Sequence, residues 1–124
     1  VFAAYAAMNE REYDRVLRGM DPEVEWVSPP EFPDAGDARG TEAVRRVWVE
    51  QVAPFDTFHY EVLAFEERGR RTVVSLRLSA YGKESGAPVE MAWHQVAFYD
   101  DEGLVLRLEN YLDEKMARRA FERQ

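Results

Sequence analysis

The sequence predicts an α+β fold in which helices cover one face of a curved β-sheet, and three observations carry that prediction. From Val89 to Asp113 two long stretches alternate in character around the turn Asp100-Asp101-Glu102-Gly103, and a period of two marks a strand with unlike faces. Helical spacing is confined to the first half of the chain and its last turns. The resulting order, with helices grouped before a run of strands, is that of α+β proteins rather than of alternating α/β ones.

Phe2, Tyr5, Ala6 and Met8 recur at helical spacing, and Tyr13, Val16, Leu17 and Met20 do so again after a break at Asn9. Asn9 and Glu12 have the spacing of a capping box for the second helix. Asp21-Pro22 ends that helix. Glu23 to Ser28 alternates, with Val24, Trp26 and Ser28 on one face, until Pro29-Pro30 stops the strand. Pro29 to Gly40 is a loop rich in proline, glycine and acid. Val44, Val47, Trp48 and Val52 mark a third helix, capped by Thr41 and ended before Pro54. Phe58 to Glu67, Arg71 to Gly82, Val89 to Tyr99 and Leu104 to Asp113 form four successive strands, after which Asp113 caps a short helix containing Met116, Ala120 and Phe121.

In the last strand Leu104, Leu106, Leu108, Asn110 and Leu112 share a face expected to point inward, opposite Val105, Arg107, Glu109, Tyr111 and Asp113. An asparagine among leucines needs a polar partner, which makes Asn110 a candidate pocket group. Gln95 is its counterpart on the preceding strand. Each amide could hydrogen-bond a ligand carbonyl or orient a water for catalysis, the alternative being a core pair that bond each other or the backbone. Trp26, Trp48 and Trp93 come from a strand, a covering helix and a central strand, and their convergence would build an aromatic wall for a flat apolar ligand or simply fill the core. With Ser28, Leu108 and Leu112 they complete the expected lining. His94 falls opposite Gln95, so an acid–base role for it requires a break in alternation. Glu31, Asp34 and Asp37 border the expected cavity mouth, where a closing loop could bring a carboxylate over a ligand. His59 is expected to be exposed, and Asp113 to point outward as a cap.

At 124 residues the chain is expected to be a single domain. A net charge of −8 disfavours nucleic acid. The absence of cysteine excludes disulfides and thiolate chemistry, and two histidines cannot build a histidine-rich metal site. No metal or cofactor is expected. No apolar run approaches the roughly 20 residues needed to span a bilayer, so no membrane association and a cytoplasmic location are expected. Because Val1 opens directly into a helical pattern, a few residues are expected to precede it. Val96, Phe98 and Tyr111 are apolar or aromatic on a convex face that no helix of the same chain is expected to reach, which predicts a homodimer there.

The segments AAYAAMNERE, VEWVSPPEFPDAGDARGTEAVRRVW and GLVLRLENYLD, in this order and spacing, resemble the SnoaL-like branch of the nuclear-transport-factor-2-like superfamily across the whole chain. That superfamily includes ketosteroid isomerases, limonene epoxide hydrolases and polyketide cyclases. The resemblance implies a cone-shaped sheet around a cavity, and often a dimer through its convex face. It also implies where isomerase machinery would lie, and there the match fails. The oxyanion-hole tyrosine falls on Ala4, the general-base aspartate on Ser28 and the protonated aspartate on Gln95. The arginine between carboxylates used by the epoxide hydrolases has no inward counterpart, since Arg77 is expected outside, near Glu109. The function expected is binding of a small, largely apolar ligand, with proton transfer or water addition as the chemistry it could support. A non-catalytic carrier or sensor, or a dimeric interaction module, are the alternatives.

Overall fold

A computed structural model describes residues 2–32 and 35–123. The elements run α1 (Phe2–Asn9), α2 (Tyr13–Leu17), β1 (Met20–Val27), β2 (Ala38–Arg39), α3 (Thr41–Val52), β3 (Phe55–Arg68), β4 (Arg71–Gly82), β5 (Pro88–Tyr99), β6 (Val105–Tyr111) and α4 (Glu114–Glu122). The six strands form one mixed, curved sheet in the order β2-β1-β6-β5-β4-β3, parallel only between β1 and β6. The fold class is therefore α+β, as expected. No helix among the described residues is long and apolar enough to cross a membrane.

On the concave face α3 presents Val44, Trp48 and Val52, four residues apart and buried. They pack on Val24, Trp26 and the inward residues of β3 to β5. α1 lies over β3. It ends in a Schellman-type closure, with Glu12 N–H bonded to Ala7 O at 2.9 Å and Arg11 N–H to Met8 O at 3.0 Å, around Arg11 at φ 61°.

Three local expectations are corrected. Asn9 does not cap α2, whose N-cap is Glu12 without a side-chain bond. Its amide instead pairs with the backbone of Tyr60, donating to the carbonyl at 2.9 Å and accepting from the N–H at 2.7 Å. A primary amide copies a peptide unit, so Asn9 closes part of the free edge of β3. α3 is preceded by Gly40 at φ 90° rather than capped by Thr41, because the turn out of β2 needs a conformation that glycine adopts freely. The inward face of β6 is interrupted at Leu106. Phe98 pairs with Arg107 and Tyr99 with Val105, so Leu106 is an extra residue in the ladder, 40% exposed, and Val105 turns inward in its place.

The largest correction concerns the convex face. A helix of the same chain does reach it: α4 buries Ala117, Ala120 and Phe121 against Val73 and Val96, with Phe98 and Tyr111 packed at the margin. The apolar patch on which a homodimer was expected is covered by the chain's own C-terminal helix. Asp113 caps that helix as expected, accepting from Lys115 N at 2.7 Å and Met116 N at 3.1 Å. Arg77 points outward, yet it meets Glu61 and Glu90 at 3.3 and 3.4 Å rather than Glu109. Glu109, 2% exposed, instead accepts from Arg107 at 2.7 Å, Arg123 at 3.0 Å and Tyr111 at 2.8 Å. Burial alone would raise its pKa, but these hydrogen bonds outweigh it and hold the carboxyl below its usual range.

Candidate functional site

The polar heart of the concave face is a chain of neutral groups. Gln95 and Asn110 sit directly opposite each other on β5 and β6. Asn110 Oδ1 accepts from Gln95 Nε2 at 2.8 Å and from Trp93 Nε1 at 3.0 Å, while its Nδ2 donates to Val27 O at 2.9 Å. An indole N–H can only donate, so Trp93 forces the oxygen of Asn110 toward itself. The amide end of Gln95 must then face the same oxygen, its carbonyl faces away, and that carbonyl receives the hydroxyl of Tyr5. One tryptophan thereby orients three side chains. Burial pushes the Tyr5 hydroxyl well above its ordinary pKa, so it serves as a donor and not as a base.

Two cavities flank this chain and share Trp26 as a wall. The smaller, about 190 Å³, lies under α1 and α2 and is lined by Tyr5, Trp48, Tyr60, Gln95, Tyr99 and Leu108 among others. The larger, about 390 Å³, opens between the loop after β1 and the end of α3, with Ser28, Phe32, Phe55, Phe58, Met91 and Trp93 in its wall. Phe32 stacks on Trp93 with ring centres 6.3 Å apart. Trp26 meets Trp48 edge-on at 6.1 Å, and Tyr13 flanks Trp48 from another side at 5.7 Å.

The three tryptophans thus line cavities, but not one common pocket: Trp48 belongs to the smaller, Trp93 to the larger, and Trp26 to both. Leu108 and Gln95 line the smaller cavity, and Ser28 the larger. Asn110 and Leu112 line neither. Asn110 is 1% exposed with both amide atoms engaged by the chain, which makes it a structural group, and Leu112 packs beside the Trp93 cluster. Ser28 is committed as well, its hydroxyl donating to Gly36 O at 2.6 Å.

His94 lies on the convex face, under the start of α4, where Ser75 Oγ meets its Nδ1 at 3.1 Å. Desolvation lowers its pKa, partly offset by the carboxylates of Glu114 and Asp113. It cannot reach either concave cavity. His59 is exposed, as expected. Glu31 and Asp37 line neither cavity, and Asp37 is used to hold the loop, accepting from Ser28 N at 3.1 Å. Asp34 lies outside the described residues. The described residues contain no cluster of side chains suited to hold a metal ion.

Sequence reasoning missed Tyr5, Tyr60 and Tyr99 as cavity groups. The alternation Phe58, Tyr60, Val62 on β3 carried the signal for Tyr60. Tyr5 stands one residue from Ala4, where an isomerase tyrosine would fall. The only carboxylate among the described lining residues is Glu50, an exposed residue of α3 at the larger cavity.

Comparison with known proteins places this geometry. The crystal structure of TerC co-crystallized with polyporic acid superposes with a TM-score of 0.79, 22% identical over 98% of this chain and 94% of its own. An NTF2-like protein from Burkholderia pseudomallei K96243 gives 0.77 at 20% identity, covering 95% and 91%. A protein of ketosteroid isomerase-like fold from Catenulispora acidiphila, in complex with trimethylamine, gives 0.77 at 11% identity, covering 91% and 84%. No curated protein matches by sequence. These likenesses establish the NTF2-like fold. The model of the SnoaL-like domain matches residues 1–107, and with the sheet, helices and cavity just described it follows that this chain belongs to the SnoaL-like domain family.

Proposed function

We propose that this protein binds a small, largely apolar ligand in its concave cavities, as a carrier or sensor rather than by acid–base catalysis. The observation that supports this reading is the composition of the cavity walls. They are aromatic and aliphatic side chains with a few neutral polar groups, and Glu50 is the one charged residue among the described lining. Apolar walls with few, fixed polar groups are what a small-molecule site needs, and about 390 Å³ lies within the range that such sites occupy. Two proteins of the same fold were crystallised with small molecules, polyporic acid and trimethylamine, which agrees with this use of the fold.

An enzymatic reading, by proton transfer or water addition, narrows to Glu50. A general base must come within hydrogen-bond reach of the proton it removes. Glu50 is the only carboxylate placed for that at either cavity among the described residues.

Cavity-filling variants test the binding reading. Ala80 and Ala97 are buried, small and on the walls of the larger and smaller cavity respectively. Tryptophan fluorescence of the purified protein, titrated with 2-naphthol, should show saturable binding that Ala80→Leu weakens at least tenfold without loss of thermal stability. Binding by the parent that neither Ala80→Leu nor Ala97→Leu affects would place the ligand elsewhere. Turnover abolished by Glu50→Gln, found for any ligand recovered with the protein, would replace the carrier reading with the enzymatic one.

A further inference from the structure

Resting on that reading of the concave cavities, we propose that the smaller one selects a neutral ligand of single-ring size that carries an acceptor oxygen, to which the hydroxyl of Tyr60 donates. Alternation places Tyr60 between Phe58 and Val62 on the inward side of β3, and its backbone is clamped to Asn9 through both its N–H and its carbonyl. Tyr5 and Phe58 meet its ring edge-on, at 6.0 and 5.4 Å between ring centres. The side chain is therefore positioned before a ligand arrives, which lowers the ordering cost of binding.

The hydroxyl at the end of that ring has nothing in the chain to bond. Both hydrogen bonds between Tyr60 and Asn9 use the Tyr60 backbone. Of the hydroxyl groups in the wall of the smaller cavity, Tyr5 donates to Gln95 and Thr72 pairs with Tyr99 at 3.3 Å, which leaves Tyr60 as the one without a partner among the described residues. Tyr60 is 5% exposed, and burial, helped by the nearby Tyr13 phenol, raises its pKa far above the ordinary value, so the hydroxyl lies deep and stays protonated. Yet it is not sealed. Among the described residues the fully covered side-chain atom without a partner is Trp48 Nε1, whereas the equally unpartnered Tyr60 hydroxyl keeps accessible surface. Surface left open at such depth faces a cavity, and of the two concave cavities Tyr60 lines the smaller alone.

Size and charge narrow what this hydroxyl can meet. A volume of about 190 Å³ is slightly more than the roughly 150 Å³ engineered cavity that admits benzene, so one ring with a short substituent fits. No charged side chain is among the described residues of this wall, and an anion would lose its hydration there with no cation to meet it. A neutral oxygen also gives up its water on entry, at smaller cost, and Tyr60 supplies the donor that offsets the loss.

Acetophenone and α-methylstyrene have one shape and differ by an oxygen in place of a methylene, and each is titrated by calorimetry into the parent protein and Tyr60→Phe. The substitution should weaken acetophenone about tenfold, since it strands the ligand oxygen, and should leave α-methylstyrene within about twofold. Thermal stability of Tyr60→Phe should be unchanged or raised, because the hydroxyl bonds nothing in the fold. In parent protein labelled at tyrosine ¹³Cζ, acetophenone should shift the Tyr60 signal further than α-methylstyrene does. Ala97→Leu should abolish binding of both, and benzoate at neutral pH should bind at least about tenfold more weakly than acetophenone. If Tyr60→Phe weakened both compounds alike or neither, with equal Tyr60 shifts in the parent, the donor role would be overturned and the cavity reading left intact. Benzoate binding as tightly as acetophenone would overturn the selection for a neutral ligand. Failure of acetophenone and α-methylstyrene, in a protein that still binds 2-naphthol, would remove the smaller cavity as a site. Failure of all three neutral compounds would count against the cavity reading itself.

Discussion

The two faces of this sheet solve the same problem, burial of polar side chains, in opposite ways. On the convex face a carboxylate is buried and met by two guanidinium groups and a phenol, and α4 seals the surface with Ala117, Ala120 and Phe121. On the concave face every buried polar group of the Tyr5, Gln95, Asn110 and Trp93 chain is uncharged, and the surrounding packing leaves two cavities. An ion pair needs all its partners in place, because a buried charge left alone is costly. Neutral amides and indoles tolerate an incomplete set at lower cost, so a space that must admit a ligand is better walled by them. The difference explains why one face closes the fold and the other holds the candidate site.

The comparison breaks first at Phe121. It is 1% exposed and joins Val73 and Val96 into the convex cluster. Phe121→Ala should cost about 3–5 kcal/mol in urea unfolding, the usual loss for a fully buried aromatic. By uncovering Val96 it should also promote self-association, visible as a concentration-dependent species in sedimentation. If the loss were below about 1 kcal/mol, α4 would be a loose cover and the patch beneath it available to a partner after all.

A smaller but sharper effect belongs to Asn110. Asn110→Leu would leave the amide of Gln95, the N–H of Trp93 and the carbonyl of Val27 without their partner at once. Each orphaned group costs on the order of 1–3 kcal/mol where it cannot relax. Some will relax toward the larger cavity, so a net loss of about 2–3 kcal/mol is expected by thermal or urea unfolding. Gln95→Leu should cost less, since it frees only the Tyr5 hydroxyl and one lone pair of Asn110, and Tyr5 can turn into the smaller cavity that it lines. Equal losses for the two variants would mean that Trp93 does not anchor the chain of hydrogen bonds.

Much of this was legible in the residues. Alternation placed Leu108, Asn110 and Gln95 inward and His94 outward, and Asp113 had the position and chemistry of a cap. Three things were not. The extra residue at Leu106 has the same type as its neighbours, so nothing local marks the bulge that exchanges it with Val105. The path of α4 depends on which way the chain turns after β6, and its apolar residues Ala117, Ala120 and Phe121 would suit either face. The third was the mutual satisfaction of Gln95 and Asn110, which depends on the exact register of β5 against β6; alternation puts both amides on one face without saying that they meet.

The smallest expected effect, the acid dependence of stability, distinguishes the faces without touching either core. Glu109 has a folded-state pKa below its unfolded value, so its contribution is fully present above the ordinary glutamate pKa of about 4.3 and is lost as pH falls through the folded value. His94 is also depressed, by desolvation, and a depressed histidine has the same sign: its contribution is complete above about 6.5 and declines as pH falls. Glu114 and Asp113 pull the other way, which keeps the His94 effect small. Tyr5 and Tyr60 on the concave face have raised values, so their contributions are complete below about 10 and decline as pH rises, beyond the acid limb altogether. Stability measured by urea unfolding should therefore fall slightly between neutral pH and pH 5, and more steeply below pH 4. His94→Asn should flatten the first decline, Glu109→Gln should flatten the second, and Gln95→Leu should leave both slopes unchanged. An acid slope that responded to Gln95→Leu would show that the two faces are not electrostatically independent.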